Sequence, residues 1–169
     1  VICLLAFVFK QFEFEIWFSD HCRKSYLPAR LSLATARRAL EGVPATVLRK
    51  HLSRSSVHRL QLIFVGEKKI QQLNREFRKK NRPTDVLSFS RIEFRGLKKW
   101  VLPEVEIGDV VVCPRVAARN AGGDKIKPRE EIQKLIVHGV LHLFGYDHER
   151  DRAGAKRMFL LQDKILTRE

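Results

Sequence analysis

The sequence predicts a single α+β domain over residues 1–169: a mixed sheet, parallel and antiparallel, of about four strands packed with about five helices. Three observations predict it. Short segments of period two alternate with longer segments of helical period, so strands and helices are interspersed rather than grouped. The chain has 169 residues and is 44% apolar, enough for one core, and it shows no internal repeat, low-complexity linker or composition break. No run approaches the roughly 18 apolar residues of a membrane-spanning helix, so membrane is not expected among its partners.

Residues 1–10 are apolar up to Lys10 and read either as a first strand or as a disordered lead or extension. Phe12, Phe14, Ile16 and Phe18 alternate with Glu13, Glu15 and Trp17, the pattern of a half-buried strand. Pro28 opens a helix to about Leu40, which Gly42 and Pro44 end. Residues 45–59 are basic and Ser-rich and read as a short helix running into a loop. Leu60–Val65 is a strand closed by Gly66, and Ile70, Leu73 and Phe77 mark a helix over Glu67–Arg78 that Lys79–Pro83 breaks.

Val86–Phe89 and Gly108–Cys113 are further strands, and the charged stretch Arg91–Glu106 between them reads as a hairpin or exposed loop. A short helix over Arg115–Ala121 ends at Gly122 and Gly123. Pro128 suits the first turn of the next helix, because it lacks an amide hydrogen that would be unpaired there, and Glu130 and Glu131 favour the positive end of the helix dipole. That helix runs to Gly145, and a last amphipathic helix covers Asp151–Leu166.

Lys and Arg number 33 against 19 Asp and Glu, a net charge of +14, which points to an anionic partner. Residues 1–99 carry +13 of it and residues 100–169 only +1, so binding charge and chemistry are expected in different parts of the fold. Cys3, Cys22 and Cys113 are odd in number, far apart and without CxxC spacing. A disulfide framework and a cysteine zinc knuckle are disfavoured, and a reducing compartment follows, with each thiol a small buried hydrophobe.

Three of the six histidines fall in His138-Gly-Val-Leu-His142-Leu-Phe-Gly145-Tyr-Asp-His148. Positions four apart share a helix face, so His138 and His142 can hold one ion together. Gly145 can adopt the left-handed conformation that ends the helix and returns His148 to the same ion. Three neutral imidazoles suit Zn²⁺ best, with Ni, Cu or Fe allowed by softness. With no fourth protein ligand beyond Asp147, which reads better as a capping or orienting group, a position stays open for water, as in catalytic sites. The spacing equals the metzincin HExxHxxGxxH, making this a zincin-like metal helix, but Gly139 stands where the general-base Glu belongs. Loss of such a base removes roughly 10²–10⁴ in rate, which argues against a peptidase.

The segment resembles the signature HGxLHLxGYDH of the YbeY family of bacterial and organellar endoribonucleases. Leu73–Phe89, with Asn-Arg-Glu-Phe-Arg78 and Arg-Pro83-Thr-Asp85-Val-Leu-Ser-Phe89, is similar to that family's second block, and Gly108-Asp109-Val-Val-Val to its strand before the metal helix. The likeness covers a catalytic region over residues 57–167, and departs from the family pattern at Phe77, where many members have Tyr, and at Ser90, where many have Pro. The resemblance implies a cytoplasmic, zinc-dependent endoribonuclease of single-stranded RNA that matures ribosomal RNA, notably the 3′ end of 16S rRNA, and serves ribosome quality control with the ribosome or small subunit as partner. It implies one Zn²⁺ on His138, His142 and His148 plus water, and catalytic roles for these three and for Arg78.

Arg78 makes physical sense beside a phosphate, because its guanidinium offers a planar fork of donors and keeps its charge. Lys68, Lys69, Arg75, Arg78, Lys79, Lys80 and Arg82 against Glu67 and Glu76 form a track for an RNA backbone. Phe89, Tyr146 and Trp100 are candidate base-stacking rings, although core or loop packing explains each of them too, and Asp85 reads as a turn cap or an orienting group. Water and the RNA 2′-hydroxyl both remain open as nucleophile. Two other classes stay in view: a non-catalytic ribosome-assembly factor with a structural zinc, and a metal-dependent hydrolase of another substrate.

Overall fold

The computed structural model describes residues 2–22, 26–92, 103–122, 127–148 and 151–167. Five strands, β1 (Ile2–Phe9), β2 (Phe12–Asp20), β3 (Val57–Phe64), β4 (Val86–Ser90) and β5 (Glu104–Val112), form one sheet in the order β1-β2-β3-β5-β4. The central pairs β2/β3 and β3/β5 are parallel, while β1 and β4 close the two edges antiparallel. The helices are α1 (Ala29–Gly42), α2 (Ala45–His51), α3 (Glu67–Arg78), α4 (Pro114–Asn120), α5 (Pro128–Leu143) and α6 (Arg152–Leu166).

The α+β class and the mixed sheet stand as expected, with one strand and one helix more than the approximate count. The extra strand is the apolar start: β1 pairs along its whole length with β2, from Ile2↔Ser19 to Phe9↔Phe12. The sixth helix is the short one read at the start of residues 45–59: α2, seven residues long. β5 begins at Glu104 rather than Gly108, taking in the end of the stretch read as hairpin or loop.

Alternation sorts the strands into two faces. Phe12, Phe14, Ile16 and Phe18 of β2 lie with Leu60, Leu62 and Phe64 of β3 and Val110 and Val112 of β5 in the main core, covered by α1, α5 and α6. A smaller cluster of Val65, Ile70, Leu87, Val111, Cys113 and Val116 lies on the opposite face near β4, under α3. Helix α5 is buried on most of its circumference, with Ile132, Leu135, Ile136, Val137, Val140, Leu141 and Leu143 all inside. A helix with so wide an apolar face belongs in a core, and α5 meets α1, α4, α6, β4 and β5. The three cysteines are free; Cys113 is buried, whereas Cys3 and Cys22 are only partly so. No helix among the described residues is long and apolar enough to cross a membrane.

Candidate metal centre and its surroundings

Pro128 opens α5 and Glu130 and Glu131 occupy its first turn. One turn apart near the other end, His138 and His142 point their Nε2 atoms at each other, 3.1 Å apart. The helix stops as its sequence requires. Gly145 takes φ +80°, its N–H donates to the His142 carbonyl at 3.0 Å, and the Tyr146 N–H donates to the Leu141 carbonyl at 3.2 Å. The chain then turns back, and the His148 ring comes to 4.9 Å from that of His138 and 5.2 Å from that of His142. On its other side His148 stacks on Phe159 of α6 at 5.7 Å.

One ligand atom from each imidazole lies within 4.8 Å of the others, so the group can hold one metal ion. Two nitrogens bound at about 2.0–2.1 Å to a tetrahedral ion stand about 3.3–3.4 Å apart, close to the 3.1 Å between Nε2 of His138 and His142. The protons are arranged for it as well. His138 Nδ1–H donates at 3.0 Å to Oε1 of Gln162, a buried residue of α6, which leaves Nε2 as the lone-pair nitrogen facing its neighbours. Burial, followed by the adjacent His142, pushes His138 down to about 4, so its imidazole is neutral.

The histidines form one wall of a cavity of about 360 Å³, and Arg78, Lys80 and Arg82 and the strand β4 line the rest. β4 is an edge strand, so the cavity wraps over the rim of the sheet, with α5 on one face and α3 on the other. Helix α3 ends at Lys79 in the left-handed conformation, φ +58°. Asn74, buried in α3, then holds the returning chain: its Nδ2–H donates to the Arg82 carbonyl at 2.7 Å, and its own carbonyl accepts the Lys80 N–H at 3.2 Å. Arg78, Lys80 and Arg82 thereby stand around one opening.

Asp85 ties β4 in place. Its Oδ1 accepts from the Val86 N–H and the Thr84 hydroxyl, its Oδ2 from Asn120 of α4, and its carbonyl from the Cys113 N–H. Ser90, one of the departures from the family pattern, has a structural partner: its hydroxyl donates to the Leu143 carbonyl at 2.9 Å, satisfying an acceptor at the end of α5. Phe89 lines the cavity with Phe77 edge-on to it at 4.9 Å. Tyr146 instead lines a second hollow, while Trp100 and Gly123 lie outside the described residues. Gln162 and Asn74 are the residues that sequence reasoning did not single out. Gln162 had a signal, a polar side chain in the apolar row Met158, Gln162, Ile165 of α6.

A family model described as Endoribonuclease YbeY matches residues 29–169. Among curated proteins, the chain is 42% identical over 106 residues to an endoribonuclease YbeY of Sulfurihydrogenibium sp. (strain YO3AOP1), covering 63% of this chain and 66% of the relative. It is 39% identical over 116 residues to that of Persephonella marina, 69% and 72% of the two chains, and 40% identical over 104 residues to that of Bdellovibrio bacteriovorus, 62% and 63%. The match thus spans about two thirds of the length of these relatives. A solution structure of a Thermotoga maritima protein is 28% identical, with a TM-score of 0.48 over 88% of this chain and 86% of that one.

Proposed function

The chain belongs to the endoribonuclease YbeY family, and from that footing we propose that it is a zinc-dependent endoribonuclease of single-stranded RNA. Its substrate is ribosomal RNA in the cytoplasm, at the 3′ end of 16S rRNA, with a part in ribosome quality control and the ribosome or small subunit as partner. The observation that carries the reading is the cavity at the sheet rim, where three imidazoles and the cations Arg78, Lys80 and Arg82 converge.

His138, His142 and His148 would hold one Zn²⁺, which when bound supplies Lewis acidity and an activated water. Gln162 keeps His138 in the tautomer whose Nε2 faces the cavity. Arg78 sits on the last turn of α3, where its guanidinium can pair with the non-bridging oxygens of a phosphodiester and neutralise charge that develops on them. Lys80 and Arg82 hold the flanking phosphates, and Asn74 keeps the segment that carries them folded back on α3. Asp85 spends its side-chain acceptors on β4 and α4, which suits a positioning residue.

The test is cleavage of unstructured RNA by zinc-loaded protein, beside His142→Ala and Arg78→Ala. Arg78→Ala is expected to retain about one equivalent of zinc and lose at least about 10²-fold in turnover, as when one donor to a developing oxyanion is removed. His142→Ala is expected to lose metal and activity together. Wild type no more active than both variants, with all three binding RNA equally, would refute cleavage and favour a binding factor. A folded wild type that takes up no transition metal would refute the histidine site itself.

A further inference from the structure

Beyond the metal cavity lies a second hollow of about 490 Å³, within the ~300–1,000 Å³ of sites that enclose a small ligand or one unit of a polymer. The loop that leaves α5 separates the two, and Asp147 lines both. Helix α2 contributes Val47, Lys50 and His51 to the hollow, the segment after α5 contributes Tyr146 and buried Phe144, and α6 contributes Arg157. Lys50 and Arg157 are exposed and, among the described residues, neither is in an ion pair. Asp151, the other carboxylate on the rim, is committed as the N-cap of α6, accepting the Gly154 N–H at 2.6 Å. Tyr146 is half-buried: part of its ring packs on the main core and the rest faces the hollow.

Apolar lining with an aromatic ring, two uncommitted cations and a lining residue, Asp147, shared with the metal cavity next to it make up the composition of a single-strand track. We propose that this hollow is a nucleotide subsite for the RNA strand on the far side of the scissile bond from Arg82, taking a base against Tyr146 and backbone phosphate at Lys50 and Arg157. The inference rests on the cleavage reading for its orientation, and it gives α2 a role in substrate binding. His51 adds shape rather than charge, because burial and then the adjacent Lys50 lower its pKa and favour the neutral ring.

The experiment compares wild type, Lys50→Ala/Arg157→Ala and the charge-matched control Arg30→Ala/Lys164→Ala, whose residues are exposed and line neither hollow. Binding of a short fluorescein-labelled unstructured RNA is followed by anisotropy in EDTA, from about 50 to 200 mM salt. The slope of log K against log salt is expected to become shallower by about 0.7–1.4 in the first variant, the loss of one or two phosphate contacts on single-stranded RNA, and to hold in the control. Tyr146→Leu is expected to weaken binding at unchanged slope. Cleavage measured on the same proteins with zinc is expected to show KM raised and kcat kept in Lys50→Ala/Arg157→Ala. A slope equal to that of the control overturns the subsite and leaves the hollow to an acidic protein segment. If wild type turns nothing over while the slope difference persists, the subsite is upheld and the cleavage reading alone fails.

Discussion

Gly139→Ala tests how closely the metal helix must lie on the sheet. A Cβ at position 139 would stand 2.6 Å from Cγ1 and 3.2 Å from Cγ2 of Val110 on β5, where carbon atoms ordinarily rest about 3.5–4.0 Å apart. Either Val110 or α5 must yield by about 1 Å. Overpacking of this kind costs about 1–3 kcal/mol, and alanine recovers about 1 kcal/mol of helix propensity over glycine, so the variant is expected to be about 0–2 kcal/mol less stable. In a Val110→Ala background both clashing methyls are gone and only the propensity gain remains, so the same substitution is expected to stabilise by about 1 kcal/mol. The double-mutant cycle should therefore show a coupling of about 1–3 kcal/mol, measured by urea unfolding of the four metal-free proteins. Because His138 and His142 ride on the displaced helix while His148 and Gln162 do not, zinc affinity should fall by about tenfold or more in Gly139→Ala alone. A coupling below about 0.5 kcal/mol with unchanged zinc affinity would refute the close approach. The same contact explains why a glutamate at 139 cannot restore the metzincin arrangement: the Cβ direction runs into Val110.

Gln162→Leu removes the acceptor of His138 Nδ1–H and is expected to weaken zinc binding by about 10–100-fold in a chelator competition; equal affinity would show that the amide does not orient the ring. His58, fully buried between Phe12 and Phe14 with Nδ1 on the Glu13 carbonyl, has its pKa lowered from 6.5 chiefly by burial. The unfolded chain then takes up the proton first, so its contribution is present above about pH 6.5 and is lost as pH falls through that value toward the folded pKa. His58→Met should flatten part of the acid loss of metal-free stability, part only because His51 and His138 are shifted in the same direction; parallel curves for the two proteins would refute it. Asn74→Ala strands the buried end of the Arg82 tie and should cost about 1–2 kcal/mol, a melting shift of about 2–8 °C in calorimetry.

What was legible in the sequence was local. The span Glu67–Arg78 is read and found unchanged, because its apolar positions repeat at helical spacing and the chain breaks immediately after it. The histidine site follows from two local facts, the i,i+4 pair and a glycine able to take φ +80°. β1 resisted assignment because both its faces are apolar: Cys3, Leu5, Phe7 and Phe9 pack on the core, whereas Ile2, Leu4 and Val8 are exposed, so no alternation shows. β5 was read as starting too late because Glu104 and Glu106 resemble loop residues until β3 is beside them. Arg59 of β3 then bridges Glu15 of β2 at 2.8 Å and also pairs with Glu104. Gln162 reaches His138 across 24 residues, a contact that exists only once α6 packs on α5.

Charge shows the same distinction between order along the chain and position in the fold. Along the chain, the excess divides into +13 and +1. In space it divides by pairing. The strand register puts Glu13, Glu15, Glu104, Glu106 and Asp109 on the sheet face away from the main core, where Arg59 pairs with Glu15 and Glu104 and Arg91 pairs with Asp109. Arg37, Arg115 and Arg119 are likewise held, by Glu41 and Glu67. Paired arginines add little field beyond a Debye length of about 8 Å at physiological salt, so Arg37 and Arg59 of the basic segment 23–59 contribute little to attracting a distant polyanion. The cations without such partners among the described residues include Lys80 and Arg82 at the metal cavity and Lys50 and Arg157 at the hollow beside it. A carboxylate-rich sheet face and a cation-lined rim give the molecule an uneven field, which orients a polyanion as well as attracting it.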